Sequence, residues 1–329
     1  MPYVFKYKKL LLFSVVVGLL FTTGCQSTKP AWYLKPQVDT NECIYAVAQA
    51  RTLSHAKKIA VNNINEKLWT QVESSFYMRE TARETNGAGF SNSLVDNKVN
   101  TKTESLTLNG IEYLQMEESE LGAFVEVRVK KNLVTQQLIR EIKEMNRSSE
   151  AKLVALEHQD KLLWWLDNRS AYQLQHKVSV RTAMLAPLES GYQVDTRSID
   201  KLIATHKNIS SQINIRLSYD RNSQKATQLL GKQLSEFNIA TSTSKRRNQT
   251  HVLHVDSERR RNKVGGAFIS TLISNVKVIN MKAKTISRSE IISTGNSVTS
   301  FKYADEGAAR HLNEQVKEKG IWTALGLIK

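Results

Sequence analysis

The chain has 329 residues, with 47 Lys and Arg against 31 Asp and Glu, for a formal net charge of +16. Hydrophobic content of 40% supports real cores, and four prolines argue against long disordered linkers. Two cysteines exclude a disulfide framework, and the length fits about two domains.

Three lysines (Lys6, Lys8, Lys9) precede LLLFSVVVGLLF, twelve residues without a charge. A spanning helix needs about 20 apolar residues, so this run reads as the core of a signal peptide. It ends in Thr22, Thr23, Gly24 and Cys25, small residues before a cysteine as in a lipobox, with Thr22 where Leu is usual. The expectation is a lipoprotein signal peptide over 1–24 and acylation of the Cys25 thiol. Ordinary secretion and an uncleaved membrane anchor are the other two readings. Two or more acyl chains anchor stably where one does not. Gln26 stands where an Asp would retain a lipoprotein at the inner membrane, so the expected location is the outer membrane, facing the periplasm. Its lipid is the expected partner there. Residues 25–31 form the lipidated tether, and Cys43 is left without a partner.

A first α+β domain is expected over 32–131. Trp32 and Tyr33 either rest on the membrane or cover this domain's core. The strand CIYAVAQA (43–50) precedes a helix from Ser54, the expected N-cap, to Phe76. Its Ala56, Ala60, Ile64, Leu68 and Val72 recur every four residues. The glycine-bearing ETNGAGFSN reads as a loop and NKVNTKTESLTL (97–108) as an edge strand. IEYLQMEE and GAFVEVRVKK form a hairpin, with Ala123, Val125, Val127 and Val129 on one face and Glu126, Arg128 and Lys130 on the other. Residues 132–188 read as a long helical connector. In it, Trp164 and Trp165 cannot both enter one groove, so they are either a partner contact or buried between domains.

The second domain, 189–329, is expected to order as β-α-β-β-β-β-α. Its parts are the alternating SQINIRLSYD, a helix over 222–237, strands near Ile239, Val252, Val278 and Val298, and a helix over 303–318. Both units are expected to pack helices on a mainly antiparallel sheet. Charge divides the halves. Residues 30–130 hold 11 Lys/Arg and 13 Asp/Glu, a net of −2, whereas 131–329 hold 32 and 18, a net of +14. Nucleic acid is not a partner for a periplasmic protein, which leaves anionic envelope polymers and acidic proteins.

No metalloprotease, hydrolase or phosphate-loop motif occurs, and His251 and His254 lie in a strand pattern that points them to opposite faces. No catalytic residue, metal or cofactor is expected. The candidate anion or partner contact is basic: Lys245, Arg246 and Arg247, then Arg259, Arg260, Arg261 and Lys263, flanking a strand at 249–256. The alternative is that both clusters are solvated loops. The apolar VGGAFISTLI after the second cluster favours a contact surface.

KPAWYLKP, IYAVAQA and the alanine-bearing helix resemble the LPP-twenty (FlgP-like) family of outer-membrane lipoproteins over about residues 30–135. This chain has Ala48 where that family usually carries Gly. The resemblance implies a non-catalytic envelope protein, in some members part of rings around the flagellar motor. The resulting expectation is a scaffold or ring component in envelope or flagellar-motor assembly, a homo-oligomer or a partner of flagellar and envelope proteins. The alternative is a regulator of a peptidoglycan synthase or a peptidoglycan-binding lipoprotein.

Overall fold

The computed structural model describes residues 28–84, 107–189 and 191–328. The leader, Cys25, most of the glycine-bearing loop and most of the strand expected over 97–108 lie outside these residues. The fold is α+β, and the chain divides into two compact units, residues 1–141 with 180–194 and residues 142–179 with 195–329.

In the first unit, α1 (Ala31–Leu34) is followed by β1 (Cys43–Ala50), α2 (Leu53–Glu84), β2 (Glu112–Ser119) and β3 (Gly122–Lys130). The sheet order is β1-β3-β2, antiparallel throughout. Alternation along β3 buries Ala123, Val125, Val127 and Val129, and α2 buries the stripe Ala56, Ala60, Ile64 and Leu68. The helix starts one residue earlier than expected. Thr52, not Ser54, caps it, its Oγ1 accepting from His55 N at 3.3 Å.

The second face of β3 departs from a simple polar reading. Phe124 and Glu126 are both buried, because residues 30–37 cross that face. Tyr33 meets Phe124 edge-on at 4.9 Å, and Glu126 accepts from Gln37 N and Gln115 Nε2 at 3.4 and 3.3 Å. Of the two readings for Tyr33, the core contact is the one formed.

The expected connector is not one segment. It consists of α3 (Lys131–Ala155), α4 (Lys161–Asp167) and α5 (Ala171–Leu188). Its residues up to Glu141 and from Val180 onward belong to the first unit, and those between belong to the second. Asp160 makes the break before α4. Its Oδ1 accepts from Leu162 N at 2.9 Å and Leu163 N at 3.4 Å, satisfying donors that a helix start leaves unpaired.

The second unit continues with α6 (Arg197–Gln212), β4 (Asn214–Tyr219), α7 (Gln224–Glu236), β5 (Ala240–Ser242), β6 (His251–Val264), β7 (Ala267–Asn280), β8 (Thr285–Ser297), α8 (Phe301–Lys319) and α9 (Ile321–Ala324). Sheet order is β5-β4-β6-β7-β8, with β4 parallel to both its neighbours and the remaining pairs antiparallel. Leu253, Val255, Leu272, Val276 and Val278 share a core with Leu230, Leu234, Leu312 and Val316. Helix α8 approaches β8 so closely at Gly295 that a Cβ there would stand 2.2 Å from Ala304 O. The helix α6 had not been expected. Its buried stripe of Ile199, Leu202, His206 and Ile209 includes a histidine, and its other face is rich in Ser, Thr and Asn, poor helix formers.

Two outcomes follow from this packing. Ala60→Asp places a charge against the sheet with no exposure, and is expected to lower stability by several kcal/mol in a denaturation experiment. Burial raises the Asp160 carboxyl, but hydrogen bonds from His251, Asn280 and Leu162 N outweigh it and hold the pKa at about 2. A depressed carboxylate stabilises the fold above its unfolded value, 3.8, and loses that contribution as pH falls toward about 2. Asp160→Asn should flatten this part of the stability–pH curve and cost about 1–3 kcal/mol at pH 7.

Candidate interaction surface

β6 and β7 are joined by Gly265 and Gly266, with φ of +56° and +85°. A two-residue hairpin turn with both central residues at positive φ strongly favours glycine. Pairing therefore runs unbroken from His251↔Asn280 to Val264↔Ala267. The expectation that the second basic cluster sits in a loop beyond a short strand is corrected by this register. Arg259, Arg260, Arg261 and Lys263 lie within β6, paired to Leu272, Thr271, Ser270 and Phe268. The apolar stretch after the turn is the partner strand that extends the hairpin.

Strand alternation then splits the arginines. On the side facing α8, Asp305 accepts from Arg259 Nη1, Arg261 Nη2 and Ser270 Oγ, each at 2.6 Å. Burial pushes the Asp305 carboxyl up, but the bonds from Arg261, Ser270 and Arg259 prevail and hold it below the usual range. Arg259 also donates to Asn222 O at 2.8 Å, and its side chain is only 18% exposed. It is part of the fold. Arg260, on the opposite face, pairs with Glu258 at 2.7 Å where both are exposed, an arrangement worth little in solution. Arg261 lies 5.5 Å from the Phe301 ring and Lys263 4.8 Å from Phe268, while the two rings meet edge-on at 4.9 Å.

The outer edge of β6 is only partly covered. β4 pairs with it as far as Val255, and Asn222 Nδ2 reaches Ser257 O at 3.1 Å. From Arg260 to Val264 no strand lies beside it among the described residues. Lys263 N instead donates to Asn262 Oδ1 at 2.8 Å. The edge of β8 is treated differently, since α8 supplies His311 Nδ1 to Thr294 N and Gln315 Nε2 to Ile292 O, both at 3.1 Å.

Lys245, Arg246 and Arg247 are exposed in the loop between β5 and β6, at the other end of the 14-residue β6. At about 3.3 Å per residue, roughly 40 Å of strand separates this end from the hairpin turn. The β7–β8 turn joins the loop there: Gln249 Nε2 lies 3.7 Å from Met281 Sδ, and Lys282 and Lys284 are exposed beside it. The two sequence clusters are thus separate surfaces, and the first gains two lysines that are 35 or more residues away in sequence.

Trp164 and Trp165 do not form an exposed contact. Both are buried in the second unit, with Trp164 Nε1 donating to Lys152 O at 2.6 Å. Trp165 stacks on His206 at 5.6 Å and meets Trp322 at 5.7 Å. The seven-residue α4 is enclosed on more than one side, so neighbouring rings can both be covered. Burial lowers the His206 pKa, opposed by its bond to Trp165 O. His251 is buried against Asp160 at 3.0 Å, while His254 points to the other face beside Ser218. Among the described residues no group of three or more His, Cys, Asp and Glu could hold a metal ion, and no helix is long and apolar enough to cross a membrane.

No family model and no curated protein matches the chain. The fold is similar to that of the secreted protein HP1454 from Helicobacter pylori, over 85% of this chain and 98% of that one, with a TM-score of 0.50 at 13% identity. Two further structures align with about a third of the chain. A minor lipoprotein from Acinetobacter baumannii has 13% identity and a TM-score of 0.27 over 32% of this chain and 88% of that one. The rare lipoprotein B from Shewanella oneidensis has 15% identity and a TM-score of 0.20 over 34% and 87%.

The split of the arginines has a measurable consequence. Arg259→Gln leaves Asp305 short of a buried partner and should cost about 1–3 kcal/mol. Arg260→Gln should change stability by less than about 0.5 kcal/mol. Urea melts of the two single variants compare these values directly.

Proposed function

We propose that this chain is a non-catalytic, lipid-anchored protein of the outer membrane, facing the periplasm, and that it acts as a scaffold or ring component in envelope or flagellar-motor assembly. The observation that carries the reading is how soon the fold begins after Cys25. Tyr33, eight residues on, is already packed against the buried Phe124. Even fully extended, eight residues reach only about 28 Å, so an anchor at Cys25 keeps the first unit beside the bilayer. A regulator that works across the cell wall needs a longer tether, which is why the assembly reading is preferred over synthase regulation.

Other support is consistent with this. The uncharged run ending at Gly24 and Cys25 has the form of a lipoprotein leader, and residues 30–135 resemble the LPP-twenty (FlgP-like) family. The fold is similar to nearly the whole of a secreted protein from Helicobacter pylori. The exposed basic groups at the β5–β6 loop and the β6 edge suit an anionic polymer or an acidic protein rather than a small substrate.

Fractionation tests the anchor. Cys25→Ser should move the protein from the membrane pellet to the soluble periplasm. A variant that still pellets after a high-salt wash would overturn lipidation at Cys25 as the means of attachment.

A further inference from the structure

Several strand edges lack a strand partner among the described residues, and two of them carry opposite charges. One is the edge of β6 from Arg260 to Val264. The other is the outer edge of β2, whose neighbour in the sheet is β3 alone. β2 is exposed along most of its length, with Tyr113 at 42% and Met116 at 49%. Glu112 is held by Arg128 and Lys130. Glu117, Glu118 and, in the following turn, Glu120 are exposed and without an ion-pair partner among the described residues.

An exposed edge strand bearing apolar side chains is a template for another strand, and proteins commonly guard such edges with charge. Here each edge is guarded by a single sign. Two β6 edges side by side would set Arg260 and Lys263 against the same cations. Two β2 edges would oppose Glu117 and Glu118 in the same way, and like charges across a strand pair are destabilising. The mixed combination removes both penalties. It also brings Val264, 55% exposed, to an edge that carries Tyr113 and Met116.

We propose that copies of this chain associate head to tail, the β2 edge of one copy adding to the Arg260–Val264 edge of β6 in the next. The inference deepens the scaffold reading and rests on it. Such a contact joins two different patches, so each added copy offers a new free edge, and assembly proceeds to a ring or a filament. Backbone hydrogen bonds supply the pairing, and the opposed charges choose the partner and its direction of addition.

The test uses the full chain in detergent and two double variants, Glu117→Lys with Glu118→Lys, and Arg260→Glu with Lys263→Glu. All four side chains are exposed, and circular dichroism checks that the folds are intact. Sedimentation velocity should show the wild type assembling in the micromolar range, with each variant alone weakened at least about tenfold. Mixing the two variants should restore assembly, because each then meets an edge of opposite sign. Hydrogen exchange at residues 112–119 and 260–264 should slow about tenfold or more on assembly. A wild type that stays monomeric to about 100 µM overturns the proposal. So does a mixture without rescue, assembly without slowed exchange at both edges, or a β2 edge already protected in the monomer. Monomeric protein that still fractionates with the membrane refutes the edge pairing alone. Release of the wild type from the membrane would instead refute the anchored reading.

Discussion

The second unit is organised around the carboxylate of Asp160. One oxygen starts α4 by accepting the Leu162 and Leu163 amides, and it also accepts from His251 Nε2 at the beginning of β6. The other oxygen accepts from Asn280 Nδ2 at the end of β7, at 3.1 Å. His251 and Asn280 face each other in the ladder, so one carboxylate fixes the open end of the long hairpin, away from its turn, and the start of the helix that carries both tryptophans. A half-buried acid is held ionised because donors from three elements converge on it, and their convergence outweighs desolvation and lowers its pKa. Thr250 extends the arrangement to β4, its hydroxyl lying 2.9 Å from His251 Nδ1 and 3.0 Å from Asn214 O.

From that fixed end, β6 and β7 run for 14 residues each and outlast β4, which is only six residues long. The difference in strand length creates the open edge. Its basic residues follow from this: a free edge must either be covered, as α8 covers part of β8, or carry charge that discourages unwanted pairing. Asp305 takes up part of that charge and turns Arg259 into a structural group. Arg261 shares that carboxylate, whereas Arg260, paired only with the exposed Glu258, and Lys263 keep their charge at the solvent-exposed edge.

Much of the fold was legible from residue patterns. The alanine-bearing stripe of α2, the alternating β3 and β4, and the amphipathic α7 and α8 all stand where periodicity puts them, because one-sided burial forces a period on the sequence. α6 was hidden because a buried histidine interrupts its apolar stripe. Glu126 reads as solvated for a similar reason. Its burial depends on residues 30–37, some 90 positions earlier, which no window on β3 contains. Among the candidate contact residues, Lys245 to Arg247 were placed as exposed groups. The tryptophans were not, since a dipeptide reveals which sides of a helix they occupy but not how many sides are enclosed.

What the sequence determined by itself is the class of architecture, the position of most strands and helices, and the imbalance of charge between the halves. These are local or additive properties, readable from spacing and composition. Tertiary structure alone decided which charges are free. It set Asp305 beside Arg259 and Arg261 across more than 40 positions, brought Lys282 and Lys284 to the loop of Lys245–Arg247, and left the outer edges of β2 and of the far part of β6 without strand neighbours among the described residues. A strand carries no mark of whether it will be central or at an edge. That depends on the order in which distant segments pair, and here it turned one run of arginines into both a structural ion pair and an open, charged edge.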